Sequence, residues 1–162
     1  MSPRLLPRLG ATLGLTTLAL SGCATIPADA EGTLDRAQGG TLVVGVSEHE
    51  PWTDVDDETG QVTGTEADLI MSFADGIDAD VDWRTGAESV LAGQMKAGEV
   101  DVLIGGLTAS SPWSTHMALT RPYTSVESDE GETEDMVMGV RLGENALLVA
   151  LERHLAQEHG EI

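Results

Sequence analysis

The sequence predicts an α/β fold: a three-layer open sheet of mostly parallel strands with flanking helices. Two observations carry this prediction. Short, densely apolar or alternating runs, typical of strands, recur along the chain, and segments with apolar residues at helical spacing lie between them. The order strand, helix, strand, helix, strand over residues 41–104 favours parallel strands joined by crossover helices. A chain of 162 residues allows one ordinary domain.

Each element is predicted from its own pattern. Buried strands are indicated by β-branched apolar runs, and a half-buried strand by alternation of polar and apolar side chains. In the first predicted helix the acids are expected on the solvent face, opposite the apolar side chains. The predicted elements are strands at 41–46, 78–83, 102–104 and 136–141, helices at 66–76, 87–97 and 144–159, and a hairpin or loop over 54–64.

The N-terminus has the pattern of a lipoprotein signal peptide. Arg4 and Arg8 precede the apolar run 9–20, which is too short to span a bilayer as a stable helix. Leu20-Ser21-Gly22-Cys23 follows and resembles a bacterial lipobox, whose cysteine becomes the lipidated first residue of the mature protein. Cys23 is the only cysteine, so it has no partner for an intrachain disulfide.

This pattern sets the expected domain limits and location. We expect residues 1–22 to be removed as a signal peptide, Cys23 to carry a lipid, and residues 23–40 to form a flexible tether. The remaining residues 41–162 would form a single lobe, anchored to the cell membrane on its extracytoplasmic side. Ordinary secretion, with cleavage after Ala28-Asp29-Ala30, is the alternative.

The charge is strongly negative. The formal net charge is −20, and because residues 1–22 carry only Arg4 and Arg8, the chain after them carries −22. Such a surface repels nucleic acid and anionic lipid headgroups, so no nucleic-acid partner is expected. Two interpretations stay open: the charge keeps the protein soluble in high salt, or it attracts a cationic ligand.

The stretch from Asp101 to Tyr123 is the predicted binding segment. An apolar strand ends at Gly105-Gly106 and opens into a loop rich in serine and threonine. Ligands of open α/β sheets bind at the carboxyl ends of strands. Glycines let a ligand approach the backbone, and hydroxyl groups donate and accept hydrogen bonds. The stretch therefore predicts a site for a small polar molecule.

Metal and catalytic readings find little support. Asp54, Asp56 and Glu58 alternate, but Thr59 stands where a calcium-binding EF-hand loop needs glycine, so a solvated turn is favoured. His49 and His116 could meet at one sheet edge as zinc ligands, although chance occurrence is the favoured explanation. Nucleophile-elbow, metal-signature and phosphate-loop motifs are missing from the sequence. We therefore expect no enzyme activity, no cofactor and no metal.

Several motifs resemble the bacterial extracellular solute-binding proteins of the type that serves ABC importers of amino acids and other small polar solutes. The resemblance implies the fold of one lobe of a type 2 periplasmic binding protein, and it covers nearly the whole chain after the tether. The matching segments are 42–46 with Pro51-Trp52, Gly64 to Leu69, Gly98 to Gly106, Thr108 to Tyr123, and 136–155.

Two departures from this family limit what the resemblance implies. The family's second lobe would lie between Tyr123 and the final strand, but only residues 124–135 occupy that interval, and these are predicted as an acidic, mobile loop. Many amino-acid binders also have an arginine that grips the α-carboxylate, and Trp113 stands at that position. Loss of such a charge-assisted hydrogen bond, ~1.5–3 kcal/mol net, predicts weaker carboxylate binding.

The predicted half-site consists of Trp52, Gly106, Thr108, Ser110 and Trp113, with Glu50 beside the first strand. The tryptophans would stack on a flat or cationic ligand, and the hydroxyls would hydrogen-bond it. The alternatives are core or hinge packing for the tryptophans, local capping for the hydroxyls and a solvated loop face for Glu50.

The expected function is a lipid-anchored receptor for a small polar or cationic, amino-acid-like solute. An ABC permease or another membrane protein is the expected partner. A second copy of the chain could also supply the missing wall of the site. The alternative is a degenerate lobe that acts as an interaction or sensory module for a membrane partner.

Overall fold

The computed structural model describes residues 27–128 and 131–160. The signal peptide and Cys23 predicted above lie outside this part of the chain. The strands are β1 (Thr41–Val46), β2 (Asp54–Val55), β3 (Val62–Thr63), β4 (Asp80–Thr85), β5 (Val102–Ile104), β6 (Met117–Leu119), β7 (Thr124–Glu127), β8 (Thr133–Met136) and β9 (Gly139–Arg141). The helices are α1 (Thr33–Ala37), α2 (Thr65–Gly76), α3 (Glu88–Ala97) and α4 (Asn145–His159).

The central sheet has five strands in the order β4-β1-β5-β9-β6. β1 is parallel to both β4 and β5, whereas β9 is antiparallel to β5 and β6. α2 and α3 provide the crossovers between the parallel strands, as the order of elements predicts. We call the side where β1, β4 and β5 end the carboxyl edge, and the side where they begin the amino edge.

The sheet separates two hydrophobic cores, which confirms the three-layer prediction. Val102 and Ile104 face the larger core together with residues of α2 and α4, and Leu103 faces the smaller core under α3. This follows from the alternation of side chains along a strand. α4 presents Leu147, Leu151 and Leu155 to the larger core, each at most 2% exposed.

The observed ends of most helices and strands lie within a few residues of the predicted ends. α3 ends at Gly98, whose φ of 81° provides the left-handed turn expected after a helix. Residues 54–64 do turn back on themselves, with β2 antiparallel to β3. Asp56 makes this turn, because its carboxylate accepts hydrogen bonds from the N–H groups of Glu58 and Thr59.

Residues 124–135, predicted as a mobile acidic loop, instead contribute to a hairpin. β7 pairs with β8 from Thr124 opposite Met136 to Glu127 opposite Thr133. The base of the hairpin is fixed to the lobe: Ala109 N–H donates to the Asp135 carbonyl at 2.8 Å. Sequence alone missed this because backbone pairing needs no apolar side chain, and Val126 is the only large one between the ends. The predicted strand 136–141 is correspondingly divided between β8 and β9.

The predicted flexible tether is also partly wrong. Residues 29–37, which we call the N-terminal clasp, lie against the start of α4 and include α1. Thr33 and Ala37 within it are almost fully buried. The clasp is held mainly by hydrogen bonds between distant residues, which periodicity cannot predict. No helix in residues 27–128 and 131–160 has the length and apolar character needed to cross a membrane.

Candidate functional site

A buried carboxylate connects three segments at the carboxyl edge. Glu66, in the first turn of α2, is 0% exposed. Its Oε2 atom accepts hydrogen bonds from the N–H groups of Gly105, at 2.7 Å, and Gly106, at 3.1 Å. Its Oε1 atom accepts the hydroxyl hydrogen bond of Tyr123 at 2.6 Å. The N–H of Glu66 itself donates to the carbonyl of Trp52 at 3.0 Å.

Burial raises the pKa of both titratable groups in this cluster, Glu66 and Tyr123. Burial raises the pKa of Glu66, although the hydrogen bonds from Tyr123 and the two glycines, and the charge of His49, act in the opposite direction. Burial also raises the pKa of Tyr123, and the neighbouring charge of Glu66 raises it further. The phenol therefore stays protonated and acts as the donor to the carboxylate.

The glycine pair lets two side chains lie directly on the backbone. A Cβ atom added to Gly106 would lie 2.6 Å from Nδ1 of His49 and 2.7 Å from Cδ1 of Trp52. The φ of Gly106 is 67°, which side-chain-bearing residues seldom adopt. Nδ1 of His49 also lies 3.2 Å from the carbonyl oxygen of Gly105. Trp52 in turn meets the ring of Tyr123 edge-on, with centroids 6.4 Å apart.

The predicted hydroxyl groups face each other beyond the glycine pair. Oγ1 of Thr108 lies 2.9 Å from Oγ of Ser110, and the N–H of Thr108 donates to Oγ of Ser111 at 3.1 Å. Thr108 is half-buried, whereas Ser110 is exposed. Ser111 therefore shapes the local turn, the hydroxyls of Thr108 and Ser110 contact each other, and Ser110 faces solvent.

Trp113 is fixed to the start of α3. Its indole N–H donates to the Glu88 carboxylate, and its ring meets His116 edge-on with centroids 5.6 Å apart. Trp113 packs against the core under α3, whereas Trp52 packs against the core on the other face of the sheet. The two predicted stacking residues thus lie against different cores, on loops that leave the same edge.

The loops at the carboxyl edge are acidic. Segments 47–64, 86–88 and 105–116, and the β7–β8 hairpin, contain no lysine or arginine. Glu50 is exposed on the first of these segments. Glu48 lines a cavity of about 230 Å³ with Asp57, Thr85 and Gly86. A cation at this edge would therefore meet carboxylates without competition from a neighbouring positive side chain in these segments.

The sequence missed Glu66, which is wrongly predicted on the solvent face of its helix. An acid in the first turn of a helix is common on exposed surfaces, so the sequence alone does not distinguish a buried acid at this position from an exposed one. The sequence predicts no role for Tyr123 beyond the end of the binding stretch. For zinc, the described residues contain no group of three histidine, cysteine or acidic side chains able to hold a metal. His49 contacts Gly105, and His116 contacts Thr115.

Known structures share this fold. The arginine-bound domain 1 of TmArgBP, from T. maritima, is 24% identical, with a TM-score of 0.66 over 76% of this chain and 97% of that chain. The ancestral cationic amino acid solute-binding protein AncCDT-1 is 16% identical, with a TM-score of 0.66 over 77% and 93%. A periplasmic binding protein of Salmonella typhimurium with high arginine specificity is 10% identical, with a TM-score of 0.63 over 75% and 94%.

The sequence itself identifies the family. No protein of curated function matches it significantly. The family of bacterial extracellular solute-binding proteins, family 3, matches residues 42–159, from the second residue of β1 to the last residue of α4. This span contains the whole five-stranded sheet except Thr41, together with the Glu66 cluster. The chain therefore belongs to the bacterial extracellular solute-binding proteins, family 3.

Proposed function

We propose that the protein is an extracytoplasmic receptor that binds a small cationic or polar, amino-acid-like solute at the carboxyl edge of its single lobe. The observation that carries this proposal is the Glu66 cluster, which joins the loops bearing Trp52 and the Gly105–Gly106 pair. The acidic character of the surrounding loops supports the preference for a cation. Family membership supports the binding role.

The proposed contacts follow from exposure and chemistry. The ring of Trp52, resting on Gly106, provides an aromatic surface on which a guanidinium or ammonium group can lie. Glu50 provides a negative charge on the same loop. Thr108 and Ser110 offer hydroxyl groups on the neighbouring loop. Trp113, tied to Glu88, forms the far wall of the site.

A single lobe leaves much of a solute in contact with water. Good small-molecule sites bury ~70–90% of their ligand, so affinity for one open lobe is expected near Kd ~1 mM, or about −4 kcal/mol. That a single lobe can hold a solute is supported by domain 1 of TmArgBP, which is arginine-bound. We extend this behaviour to the present chain as part of the proposal.

The test compares arginine with agmatine, which keeps the guanidinium group but lacks the carboxylate. Calorimetry and tryptophan fluorescence should detect both cations, and glutamate should give no signal. Agmatine should bind at least as well as arginine, because segments 47–64, 86–88 and 105–116 contain no arginine or lysine to pair with a carboxylate. Arg121, in the loop after β6, already pairs with Glu152. Absence of binding by every cationic solute tested at millimolar concentration would contradict the proposal.

Matched variants would locate the site. Trp52→Leu should abolish the fluorescence response and the heat of binding. Trp83→Leu, within β4, should retain binding, because Trp83 packs against the larger core and is not part of the proposed site. Equal loss of binding in both variants at equal folded fraction would place the solute elsewhere.

We also propose that Cys23 is lipidated and holds the lobe at the outer face of the cell membrane, where it would serve an ABC importer. The sequence pattern around Cys23 supports the anchor. Cys23→Ala should release the protein from the membrane fraction or block its processing. Unchanged fractionation would refute the anchor without affecting the solute proposal.

A second candidate is an interaction module for a membrane protein. It is favoured by the β7–β8 hairpin, which occupies the chain interval where the resemblance places a second lobe. Crosslinking in intact membranes distinguishes the candidates. A specific membrane-protein partner that persists when solute binding is abolished would support the interaction module, whereas contacts with lipid and self alone would exclude it.

A further inference from the structure

We propose that His49 is a specificity-determining residue of the solute site: its neutral imidazole accepts a hydrogen bond from the cationic solute, and its protonation weakens the binding of that solute. This inference rests on the proposed function and adds to it a contact and a pH dependence. It is drawn from the position of the ring on Gly106, the hydrogen bond that sets its tautomer and the charges around it.

The backbone of His49 is held in a tight turn just after β1. Its N–H donates to the hydroxyl and to the carbonyl oxygen of Thr53, each at 3.0 Å. Its carbonyl accepts from the N–H groups of Trp52, at 2.9 Å, and Thr53, at 3.0 Å. Thr53 is 0% exposed, and its hydroxyl donates to the carbonyl of Ser47 at 2.6 Å. The turn therefore fixes where the rings of His49 and Trp52 leave the chain.

The imidazole lies beside the aromatic surface proposed for the solute. A Cβ atom placed on Gly106 would meet Nδ1 of His49 and Cδ1 of Trp52 at nearly the same distance, 2.6 and 2.7 Å. The two rings therefore lie against the same point of the backbone. His49 is exposed and Trp52 is half-buried. A guanidinium or ammonium group that lies on the indole is thus placed next to the imidazole.

One hydrogen bond sets the tautomer of the ring. Nδ1 of His49 lies 3.2 Å from the carbonyl oxygen of Gly105. A carbonyl oxygen only accepts hydrogen bonds, so we assign the proton of the neutral ring to Nδ1, which donates it. Nε2 then has a lone pair and no proton, and it points away from Gly105. This nitrogen is therefore an acceptor suited to the N–H groups of a guanidinium or ammonium group.

Protonation reverses the role of Nε2. The imidazolium has a proton on both nitrogens, so Nε2 becomes a donor and the ring carries a positive charge. It can no longer accept a hydrogen bond from a cation, and the two positive charges repel each other. An ordinary imidazole takes up its proton at about pH 6.5. We therefore expect the affinity for a cation to fall as pH decreases through this region.

Other charged groups face the ring or the site and must be separated from His49 by the experiment. Protonation of Glu66, whose pKa burial raises, would also weaken the binding of a cation. Arg121 already pairs with Glu152. The groups concerned are Glu48 and Glu50 on the loop of His49, Glu66 in α2, His116 after β5, Arg121 and Tyr123 after β6, and His159 at the end of α4, whose ring lies 5.7 Å from that of Tyr123. All of them are kept in a variant that changes His49 alone.

The affinity for agmatine at pH 7.5 and at pH 5.5, measured by calorimetry, tests the proposal. Agmatine keeps both of its positive charges over this range. In His49→Gln the amide still offers a donor to Gly105 and an acceptor to the solute, but it does not titrate. The affinity of the wild type should therefore fall at least about fivefold more than that of His49→Gln. His154→Gln, in α4 against Phe73, is the matched control and should keep the wild-type pH dependence.

Nitrogen NMR of the wild type, labelled with ¹⁵N-histidine, gives a second measurement that does not depend on the folding of a variant. At pH 7.5 the Nε2 atom of His49 should be unprotonated, and its resonance should move when agmatine is added. An equal fall in affinity in the wild type and His49→Gln, a proton on Nε2 at pH 7.5, or a resonance that agmatine does not move would overturn the proposal. Binding of agmatine that is independent of His49 would overturn this inference alone, whereas absence of agmatine binding at pH 7.5 would overturn the proposed function as well.

Discussion

Replacement of Glu66 should affect the fold and the site together, in a way that depends on pH. Glu66→Ala leaves three buried donors without an acceptor: the N–H groups of Gly105 and Gly106 and the hydroxyl of Tyr123. Each unsatisfied donor costs ~1–3 kcal/mol, so the loss is ~3–9 kcal/mol against a typical total stability of ~5–15 kcal/mol. This variant should therefore lose a large share of its stability and unfold at a much lower urea concentration than the wild type.

Glu66→Gln is the informative variant. The amide oxygen still accepts from the two glycines, but the amide nitrogen replaces the oxygen that accepts from Tyr123, so a loss of ~1–2 kcal/mol is expected near neutral pH. The pKa of Glu66 is raised above its ordinary value of 4.5 in the folded state. The folded protein therefore binds the proton more tightly than the unfolded chain, and the stabilisation due to Glu66 falls as pH rises from 4.5 through the folded pKa.

Urea denaturation of the wild type and Glu66→Gln at several pH values between 4.5 and 8 measures this effect. The stability advantage of the wild type should be largest at the acidic end and should shrink as pH rises. Asp68→Asn, which replaces an exposed acid on the same helix, is the matched control and should change stability little. A wild-type advantage that grows with rising pH would refute the account of Glu66 as a carboxylate whose burial dominates its pKa.

Three further predictions concern the glycine pair, the clasp and the far wall of the site. Gly106→Ala should reduce solute affinity at least about tenfold, because the added Cβ meets the rings of His49 and Trp52. Gly60→Ala, at a similar positive φ but with open space around the added Cβ, should cost only ~1–2 kcal/mol of stability and leave affinity unchanged. Burial acts to raise the pKa of Glu144, but hydrogen bonds from Thr33 and Glu31 of the clasp lower it in the folded state. Its carboxylate therefore stabilises the wild type above pH 4.5, and this stabilisation is lost as pH falls through the folded pKa. Urea titrations should therefore show that Glu144→Gln is less stable than the wild type above pH 4.5 and that the difference shrinks at lower pH. Trp113→Phe removes the donor to Glu88 and should weaken solute binding about two- to tenfold, measured by calorimetry, with little change in melting temperature.

The order of the sheet and its helices could be predicted because these elements are encoded locally. Leu69, Ile70 and Phe73 show the helical period on their own, and Gly98 ends its helix through its own backbone preference. The same period wrongly predicts Glu66 on the solvent face. Its buried carboxylate accepts hydrogen bonds from residues that lie 39 to 57 positions away in the chain. A pattern of short period carries no information about such partners.

The candidate site was partly predictable for a related reason. Gly106 and Trp52 are residue types that suit a ligand, and the structure places them in direct proximity. Their assembly depends on Tyr123 and His49, whose positions follow from the packing of loops at the carboxyl edge. The hairpin base was missed because its hydrogen bonds, such as that from Ala109 to Asp135, use only the backbone.

The hairpin base has a consequence for engineering. The chain leaves the lobe at Tyr123 and re-enters it at Met136, and the N–H of Tyr123 donates to the carbonyl of Met136 at 3.0 Å. The exit and the return are therefore adjacent, as the ends of an insertable domain usually are. A foreign domain inserted between β7 and β8 would be connected to the lobe only through these two paired strands. The lobe is thus a natural acceptor for an inserted domain, which would join it through a short stem beside the solute loops.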